Sequence, residues 1–461
     1  MRAELVLEHC VQRIEGPLLF LERKADLGLN SRVEVLDRDG HSRLGRVVAV
    51  DERTLVIEVL ESTLGLGVRD TRIRVWNEPM LFGVGPGMLG RTYDSIGQTM
   101  DGGPPVAAVR FMRIDGLAVN PAARALPRDF IETGVSAIDL MNSLVRGQKL
   151  PLFSGAGLPH DRLATEIVLN SRLREAGASF AVVFVGMGIS HDTARSFRDS
   201  MASSGALEHT AMFLNLADEP SAQRLLTPRY ALTAAEYLAY VEGRHVLVVM
   251  TDMTNYCEAL REVSAAHGEL PSRKGYPGYM YSDLASLYER AGCIHGLPGT
   301  LTQLPILTMP SDDISHPIAD LTGYITEGQI VLDRELDRHG IYPPVRLLPS
   351  LSRLMNSGTG AGFTHPDHPA LANQLFACYA RATHVRVLAS VMGEESLPEV
   401  DHRYLAFAHE LEERLINQQG RRTLEESMAI GWELLRALPA AELTRLSKQQ
   451  ISRYLGEPAH A

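Results

Sequence analysis

The spacing of apolar residues changes twice along the chain, and the changes divide it into three regions. In the first region the apolar positions fall in short segments, residues 32–35, 46–50, 55–59 and 71–75. Asp39-Gly40, which follows the first segment, is typical of a tight hairpin turn. Short strands at such regular spacing predict a small β-barrel over residues 1–75.

The second region, residues 76–345, begins with loops rich in glycine and proline and continues with short apolar segments separated by helical ones. The apolar segments are residues 150–153, 180–185, 211–216, 246–250 and 304–309. Nearly continuous apolar strands joined by helices predict an α/β domain with a parallel sheet covered on both faces. Ligands of such sheets bind at the carboxyl ends of the strands.

The third region, residues 346–461, has a helical period. One predicted helix face consists of apolar residues three or four positions apart, namely Tyr404, Ala408, Leu411 and Leu415. Thr423 and Glu426 have the spacing of a capping box that opens a second helix. Pro439 is predicted to begin a third helix that continues towards Leu455. These features predict a small α-helical bundle.

Composition and charge narrow the range of partners. The 461-residue chain carries a net charge of -11, which disfavours nucleic acid and anionic membrane surfaces, since both are bound by basic surfaces. The start of the chain lacks a basic end followed by an apolar core, and no segment approaches the roughly 20 apolar residues that span a bilayer. We therefore expect neither a signal peptide nor direct membrane insertion. The four cysteines lie far apart, which indicates a reducing cytosol and no metal site.

Residues 154–161, Ser-Gly-Ala-Gly-Leu-Pro-His-Asp, follow the first predicted strand of the sheet, where nucleotide-hydrolysing proteins carry a phosphate-binding loop. A working loop has the pattern G-x-x-x-x-G-K-[ST], in which the lysine reaches the transferred phosphate and the hydroxyl binds magnesium. Here Pro159, His160 and Asp161 replace those three groups, and proline also removes an amide donor. His160 can be a phosphate or metal ligand or a residue that packs the loop, and packing is favoured.

Two later strand ends bear on the same chemistry. Residues 246–250 lead to Asp252, at a position where P-loop proteins hold magnesium, although an acid that caps a strand end is more often structural. Residues 180–185 lead to Ile189, where catalytic ATPases of this architecture have a glutamate that orients the attacking water. Isoleucine cannot polarise water. A defective site in an intact framework indicates a non-catalytic partner of an ATPase.

The candidate nucleotide-binding residues therefore form a degenerate site. They are Ser154, Gly155, Gly157, Leu158, Pro159, His160, Asp161 and Asp252.

Longer segments extend this interpretation over nearly the whole chain. They are residues 153–160, 231–238, 251–260, 275–281, 320–329 and 348–355, and they resemble the non-catalytic B subunits of V/A-type rotary ATPases and ATP synthases. The resemblance implies a β-barrel, a nucleotide-binding α/β domain and a C-terminal helical domain. It also implies a hexameric ring in which three such subunits alternate with three catalytic A subunits around a central shaft, beside a peripheral stalk. The chain would then be cytoplasmic and peripheral to the membrane.

The same resemblance assigns roles to individual residues. It implies that ATP or ADP binds with magnesium at the A–B interfaces, while this chain holds no cofactor of its own. An arginine finger follows Pro-Ser-Leu-Ser in the family, which places it at Arg353, next to Ser352. A guanidinium supplied by a neighbouring subunit stabilises the charge that spreads over the transferred phosphoryl group.

The chain departs from the family pattern at Arg346, where Asp, Asn or His is usual. A partner charge can compensate for this cation, the interface can be tuned differently, or the residue can be exposed and of little effect. The acidic residues 393–401 have two interpretations, a solvated loop and a contact with the central shaft.

Two other functions stay open at this point, an ATPase that is active by itself and an interaction protein with a vestigial nucleotide site. The sequence reveals neither the coupling ion, proton or sodium, nor the direction of the reaction.

Overall fold

The computed structural model describes residues 5–116, 120–175 and 177–456. Its first seven strands form one antiparallel, barrel-like sheet in the order β1-β7-β4-β5-β6-β3-β2. Their bounds are Leu5–Leu7 (β1), Val11–Glu15 (β2), Leu18–Glu22 (β3), Ser31–Leu36 (β4), Ser42–Val50 (β5), Thr54–Val59 (β6) and Arg72–Pro79 (β7). Alternate residues of these strands, including Leu19, Val33 and Ile57, are buried in a core of their own. The predicted boundary at residue 75 falls within β7.

The predicted hairpin is confirmed between β4 and β5. Gly40 adopts a φ of +84°, which a residue with a side chain rarely adopts. The Asp37 carboxylate accepts hydrogen bonds from the amides of Asp39 and His41, at 3.0 and 2.9 Å, and so closes the turn.

The central domain is built on a mainly parallel sheet with the order β22-β21-β14-β20-β18-β16-β17-β9. The strands of this sheet are Thr92–Tyr93 (β9), Leu152–Gly155 (β14), Phe180–Ile189 (β16), Thr210–Leu216 (β17), His245–Thr251 (β18), Thr300–Met309 (β20), Gly328–Leu332 (β21) and Val345–Ser352 (β22). Shorter strands are Leu81–Val84 (β8), Arg110–Arg113 (β10), Arg124–Ala125 (β11), Phe130–Glu132 (β12), Leu144–Val145 (β13), Arg172–Leu173 (β15) and Gly292–Ile294 (β19). The five predicted strands are present, and β22 carries the sheet past the predicted boundary at residue 345.

Helices cover both faces of this sheet, which explains why β18 is buried along nearly its whole length. The helices of the central domain and its boundary are Ser136–Asp139 (α1), His160–Asn170 (α2), His191–Ser203 (α3), Ser221–Glu236 (α4), Met253–Ala266 (α5), Met280–Tyr288 (α6), Pro317–Ile325 (α7), Arg334–Arg338 (α8) and Met355–Gly358 (α9).

The C-terminal domain is helical, with helices at His368–Met392 (α10), Glu399–Leu411 (α11), Leu424–Leu435 (α12) and Lys448–Leu455 (α13). The predicted face of α11 and the capping box of α12 are confirmed. The helix predicted from Pro439 is wrong. Residues 440–442 form a single 3-10 turn, and α13 begins only after a capping box in which Ser447 and Gln450 bond each other's backbone amides. Such reciprocal capping marks a new helix start.

One apolar core joins the central domain to the C-terminal helices and includes Leu140, Leu375 and Trp432. Polar contacts reinforce it. The Gln418 side chain accepts a hydrogen bond from the Ser136 amide at 2.7 Å and donates to the Gly134 carbonyl at 2.8 Å. Segment 133–142 is thereby tied to the helical domain. No helix in the described parts of the chain is both long and apolar enough to cross a membrane.

Candidate functional site

The degenerate phosphate loop connects β14 to α2 and lies at the carboxyl end of the parallel strands. Gly157 lies at its tip with a φ of +80°. The His160 ring folds back onto the loop, with Nδ1 3.0 Å from the Ser154 hydroxyl and Nε2 3.7 Å from the Asp161 carboxylate. Leu158 is buried. These contacts support the interpretation of His160 as a residue that packs the loop.

An ion pair lies beside the backbone at the start of this loop. Arg334 donates from Nε and Nη2 to the two carboxylate oxygens of Asp312, at 2.7 and 2.9 Å, and from Nη2 to the Ala156 carbonyl at 2.8 Å. A Cβ atom at Gly155 would lie 2.1 Å from the Asp312 carboxylate, so only glycine lets this carboxylate lie against the loop. Hydrogen bonding to Arg334 lowers the pKa of Asp312, which therefore stays ionised. The ion pair thus joins the start of the loop to the segments that follow β20 and β21.

This pair has no local signal in the sequence, because Asp312 and Arg334 follow different strands and match no motif around the loop.

Asp252 follows β18 and faces the same cleft, but its carboxylate is already engaged. It accepts hydrogen bonds from the amides of Thr254 and Thr308, at 2.7 and 3.1 Å, and from the Thr308 hydroxyl at 2.5 Å. Burial raises the pKa of Asp252, and the Thr308 hydroxyl is the largest opposing influence. The carboxylate therefore caps α5 and ties β18 to β20. These contacts support the structural interpretation of Asp252 as an acid that caps a strand end.

The cleft that these residues share has a volume of about 270 Å³ and is lined by Gly157, His160, Asp161, Ile189 and Asp252, among others. The structure thus brings the predicted loop residues and Asp252 together. Ile189 is buried at the end of β16, and Ser190 caps α3 by accepting a bond from the Thr193 amide at 3.1 Å. Neither side chain supplies a carboxylate that could orient water.

Arg353 lies at the opposite edge of the sheet. It follows β22, which runs antiparallel to β21, and its amide donates to the Glu327 carbonyl at 3.0 Å, just before β21 begins. The length of β21, five residues or roughly 13 Å at strand spacing, separates this point from the phosphate-loop edge. The guanidinium is exposed and donates a hydrogen bond of 3.3 Å to the Thr326 carbonyl. Arg353 is therefore not brought together with the loop of its own chain.

Ser352, predicted beside it, is buried. Its hydroxyl donates to the Ser143 carbonyl at 2.8 Å and accepts from the Gln148 side-chain amide at 2.9 Å. This serine holds the strand end in place and is not exposed to a ligand.

Arg346 has a partner charge within the chain. Its Nε lies 3.6 Å from Asp333 Oδ2, while Asp333 Oδ1 accepts a hydrogen bond from the Glu335 amide at the start of α8. The Arg346 side chain is 60% exposed, so the pair contributes little to stability. Of the three interpretations of Arg346, a compensating charge is the one with a visible contact.

Known proteins match this chain over both its central and its C-terminal domain. Residues 134–352 match the ATP synthase alpha/beta family, nucleotide-binding domain, and residues 357–455 match the C-terminal domain of V and A type ATP synthase. A V-type ATP synthase beta chain of Halothermothrix orenii is 52% identical over 446 residues, which are 96% of each chain. The V-type ATP synthase beta chain 2 of Treponema pallidum is 51% identical over 96% of this chain and 92% of its own length.

A solved structure has the same fold. The ATP synthase subunit NeqB from Nanoarcheaum equitans superposes with a TM-score of 0.72 and 36% identity, over 91% of this chain and 98% of its own. Matches in sequence and fold thus cover the central and C-terminal domains and nearly the full length of the relatives. The chain therefore belongs to the ATP synthase alpha/beta family, as a beta chain, or B subunit, of the V/A type.

Proposed function

We propose that this chain is non-catalytic and supplies Arg353 as an arginine finger to a catalytic site on a neighbouring A subunit. The observation that carries the proposal is the position of Arg353. Its backbone is fixed by the Glu327 carbonyl, its guanidinium is exposed, and it lies across the sheet from its own phosphate loop. A cation in this place can stabilise phosphoryl transfer only on another chain.

The chain's own cleft supports the non-catalytic part of the proposal. The loop has a histidine in place of lysine, Asp312 lies against its backbone, and the end of β16 carries Ile189. The histidine and the isoleucine remove two requirements of hydrolysis, a cation for the transferred phosphate and a group that activates water. An ATPase that works by itself is therefore disfavoured.

Membership of the family supports the proposed assembly. Three of these subunits alternate with three A subunits in a hexameric ring, and ATP or ADP with magnesium binds at A–B interfaces. The β-barrels form the collar of the ring, and the acidic residues 393–401 contact the central shaft. Peripheral stalk subunits hold the ring, which lies on the cytoplasmic side, peripheral to the membrane. The complex couples ATP synthesis or hydrolysis to the transport of protons or sodium ions.

Reconstitution tests this proposal. ATP hydrolysis would be measured with this chain alone, with the A subunit alone, and with both together, while native mass spectrometry reports the ring. We expect turnover only in the mixture and loss of that turnover with Arg353→Ala. Turnover by the chain alone, after removal of trace contaminants, would show that it is itself catalytic.

A further inference from the structure

We infer that Gln148 and Lys149 are positioning residues for Arg353. They fix the turn formed by Thr326 and Glu327, against which the arginine is held. The inference rests on the proposed role of Arg353. It adds the residues that fix the position of the Arg353 backbone, from which the side chain extends towards the neighbouring subunit.

Gln148 connects the two backbone segments that hold Arg353, the end of β22 and the turn before β21. Its side chain is fully buried, and Nε2 donates to the Ser352 hydroxyl at 2.9 Å and to the Glu327 carbonyl at 3.1 Å. Ser352 precedes the arginine in sequence, and the Glu327 carbonyl is the acceptor of the Arg353 amide. Oε1 accepts the amide of Val145 at 3.0 Å, which fixes the orientation of the side chain. The Gln148 side-chain amide thus links Ser352, which precedes Arg353, to Glu327, which accepts the Arg353 amide.

Lys149 holds the same turn through an ion pair with the Glu327 side chain. Its ammonium group lies 2.8 Å from the carboxylate of Glu327 and 3.0 Å from that of Glu289, and its amide donates to Glu327 Oε2 at 2.8 Å. The lysine side chain is 8% exposed. A cation so enclosed must be paired, so Glu327 is held through its side chain as well as its carbonyl.

Gly328 allows the two strands that meet at this turn to approach closely. It pairs with Ser352 across β21 and β22, and a Cβ atom there would lie 1.9 Å from the Leu351 carbonyl oxygen. Its φ of +129° is also one that residues with side chains rarely adopt. The two strands therefore approach closely, and the Arg353 backbone is fixed. Its guanidinium, held by a long bond of 3.3 Å, can turn to a partner.

Such fixation has a catalytic purpose, because misplacement of a catalytic group by about 1 Å can cost on the order of 10²-fold in rate. The test uses the assembled complex with the A subunit. Gln148→Met has a similar length and removes both donors. We expect it to lower kcat about tenfold, with KM for ATP unchanged, because the arginine acts in the transition state. In complexes that already carry Arg353→Ala, the same change should lower turnover no further.

Gln374→Met is the matched control. Gln374 is 1% exposed and also bonds backbone groups, donating to the Glu442 carbonyl at 3.3 Å and accepting the Arg445 amide at 2.8 Å, but it lies in the C-terminal domain. We expect turnover of its complexes to equal that of the wild type. A second readout needs only the isolated chain. Amide hydrogen exchange of residues 351–355 should be faster in Gln148→Met, with residues 246–250 unchanged.

The outcomes separate this inference from the proposed function. Wild-type turnover in Gln148→Met, or an equal loss with and without Arg353, would overturn the positioning role. Wild-type turnover in Arg353→Ala would refute the finger itself. If Gln148→Met does not yield a folded chain, Glu327→Gln carries the same test, because its side chain is 28% exposed and Lys149 keeps Glu289 as a partner.

Discussion

Asp312 and Arg334 form a two-point ion pair, at 2.7 and 2.9 Å, beside the backbone at the start of the phosphate loop of their own chain. The Arg334 guanidinium is committed to that carboxylate and to the Ala156 carbonyl, so it does not replace the missing lysine. The loop therefore has neither its usual lysine nor a free Arg334 guanidinium to pair with a phosphate.

This arrangement predicts that a restored loop will not restore catalysis. The isolated chain should hydrolyse ATP no faster than buffer, and the triple variant Pro159→Gly, His160→Lys, Asp161→Thr should behave in the same way. Ile189 still leaves water unoriented, and Asp312 still lies against Gly155. A coupled-enzyme assay on contaminant-free protein measures this. Turnover in the triple variant would show that the loop residues alone were limiting.

Substitution of Arg353 should lower the rate of hydrolysis without preventing assembly of the complex. Arg353→Ala complexes should form hexamers and bind ATP at A–B interfaces nearly as before, since the lost charge matters mainly in the transition state. Hydrolysis should fall about 10³-fold or more, the scale of arginine fingers. Arg353→Lys should recover little, because an ammonium on a flexible stem lacks the planar fork of a guanidinium. Steady-state kinetics and nucleotide titration on sized complexes provide the measurement.

Arg346→Ala is the matched control for Arg353→Ala. Both arginines are exposed and lie on or next to β22, but Arg346 pairs with Asp333, 3.6 Å away, at the other end of that strand. We expect a far smaller change in assembly and rate. Equal losses in the two variants would indicate that positive charge along β22, and not a finger at Arg353, supports turnover.

Removal of the N-terminal sheet should abolish ring assembly. Because β7 runs to Pro79, the deletion should cover residues 1–79. The barrel has a separate apolar core, so we expect a soluble central domain to remain. Size-exclusion chromatography with the A subunit would report the outcome. Normal hexamers from the truncated chain would contradict a collar role for this domain.

His368 should make the stability of the chain depend on pH. Its ring is buried, donates from Nε2 to the Leu140 carbonyl at 2.9 Å and lies 3.0 Å from the Thr364 hydroxyl through Nδ1. Burial lowers the pKa of His368 from 6.5 to about 4. The unfolded chain therefore binds a proton that the folded chain does not, between about pH 6.5 and pH 4. This contribution is complete above pH 6.5 and is lost as pH falls towards 4.

The expected slope is about 1.4 kcal/mol of unfolding free energy per pH unit within that window. His368→Gln keeps a donor for the Leu140 carbonyl and cannot titrate, so its stability should fall less steeply in acid. Urea denaturation of both proteins at several pH values measures the difference. Parallel curves for the two proteins would show that His368 does not titrate in this range.

The parts of the fold that can be predicted from the sequence are those whose signals are local. The apolar strand at β18, the Asp39-Gly40 turn and the capping box at Thr423 each depend on a few neighbouring residues. The 25-residue helix α10 escapes prediction because its apolar residues are spread around the helix and form no single stripe. The third C-terminal helix begins later than predicted because Ser447 and Gln450 compete with Pro439 as the start.

The site residues that can be predicted from the sequence are likewise those with a local signal. The loop residues and Asp252 can be identified because they follow strands whose carboxyl ends meet. Asp312, Arg334, Gln148 and Lys149 cannot, since their roles depend on contacts between segments far apart in sequence. Ser352 adjoins Arg353 by sequence alone, but the burial of its hydroxyl can be seen only in the folded chain.

Segment 133–142 has a mechanical consequence through its contacts with the C-terminal helices. Gln418 bonds two of its backbone groups, and His368 bonds a third, at the Leu140 carbonyl. Rotating the helical domain against the central sheet would break these bonds and open a shared apolar core. We therefore expect the two larger domains to move together, so that a displacement of the helical domain also displaces the central sheet that carries Arg353.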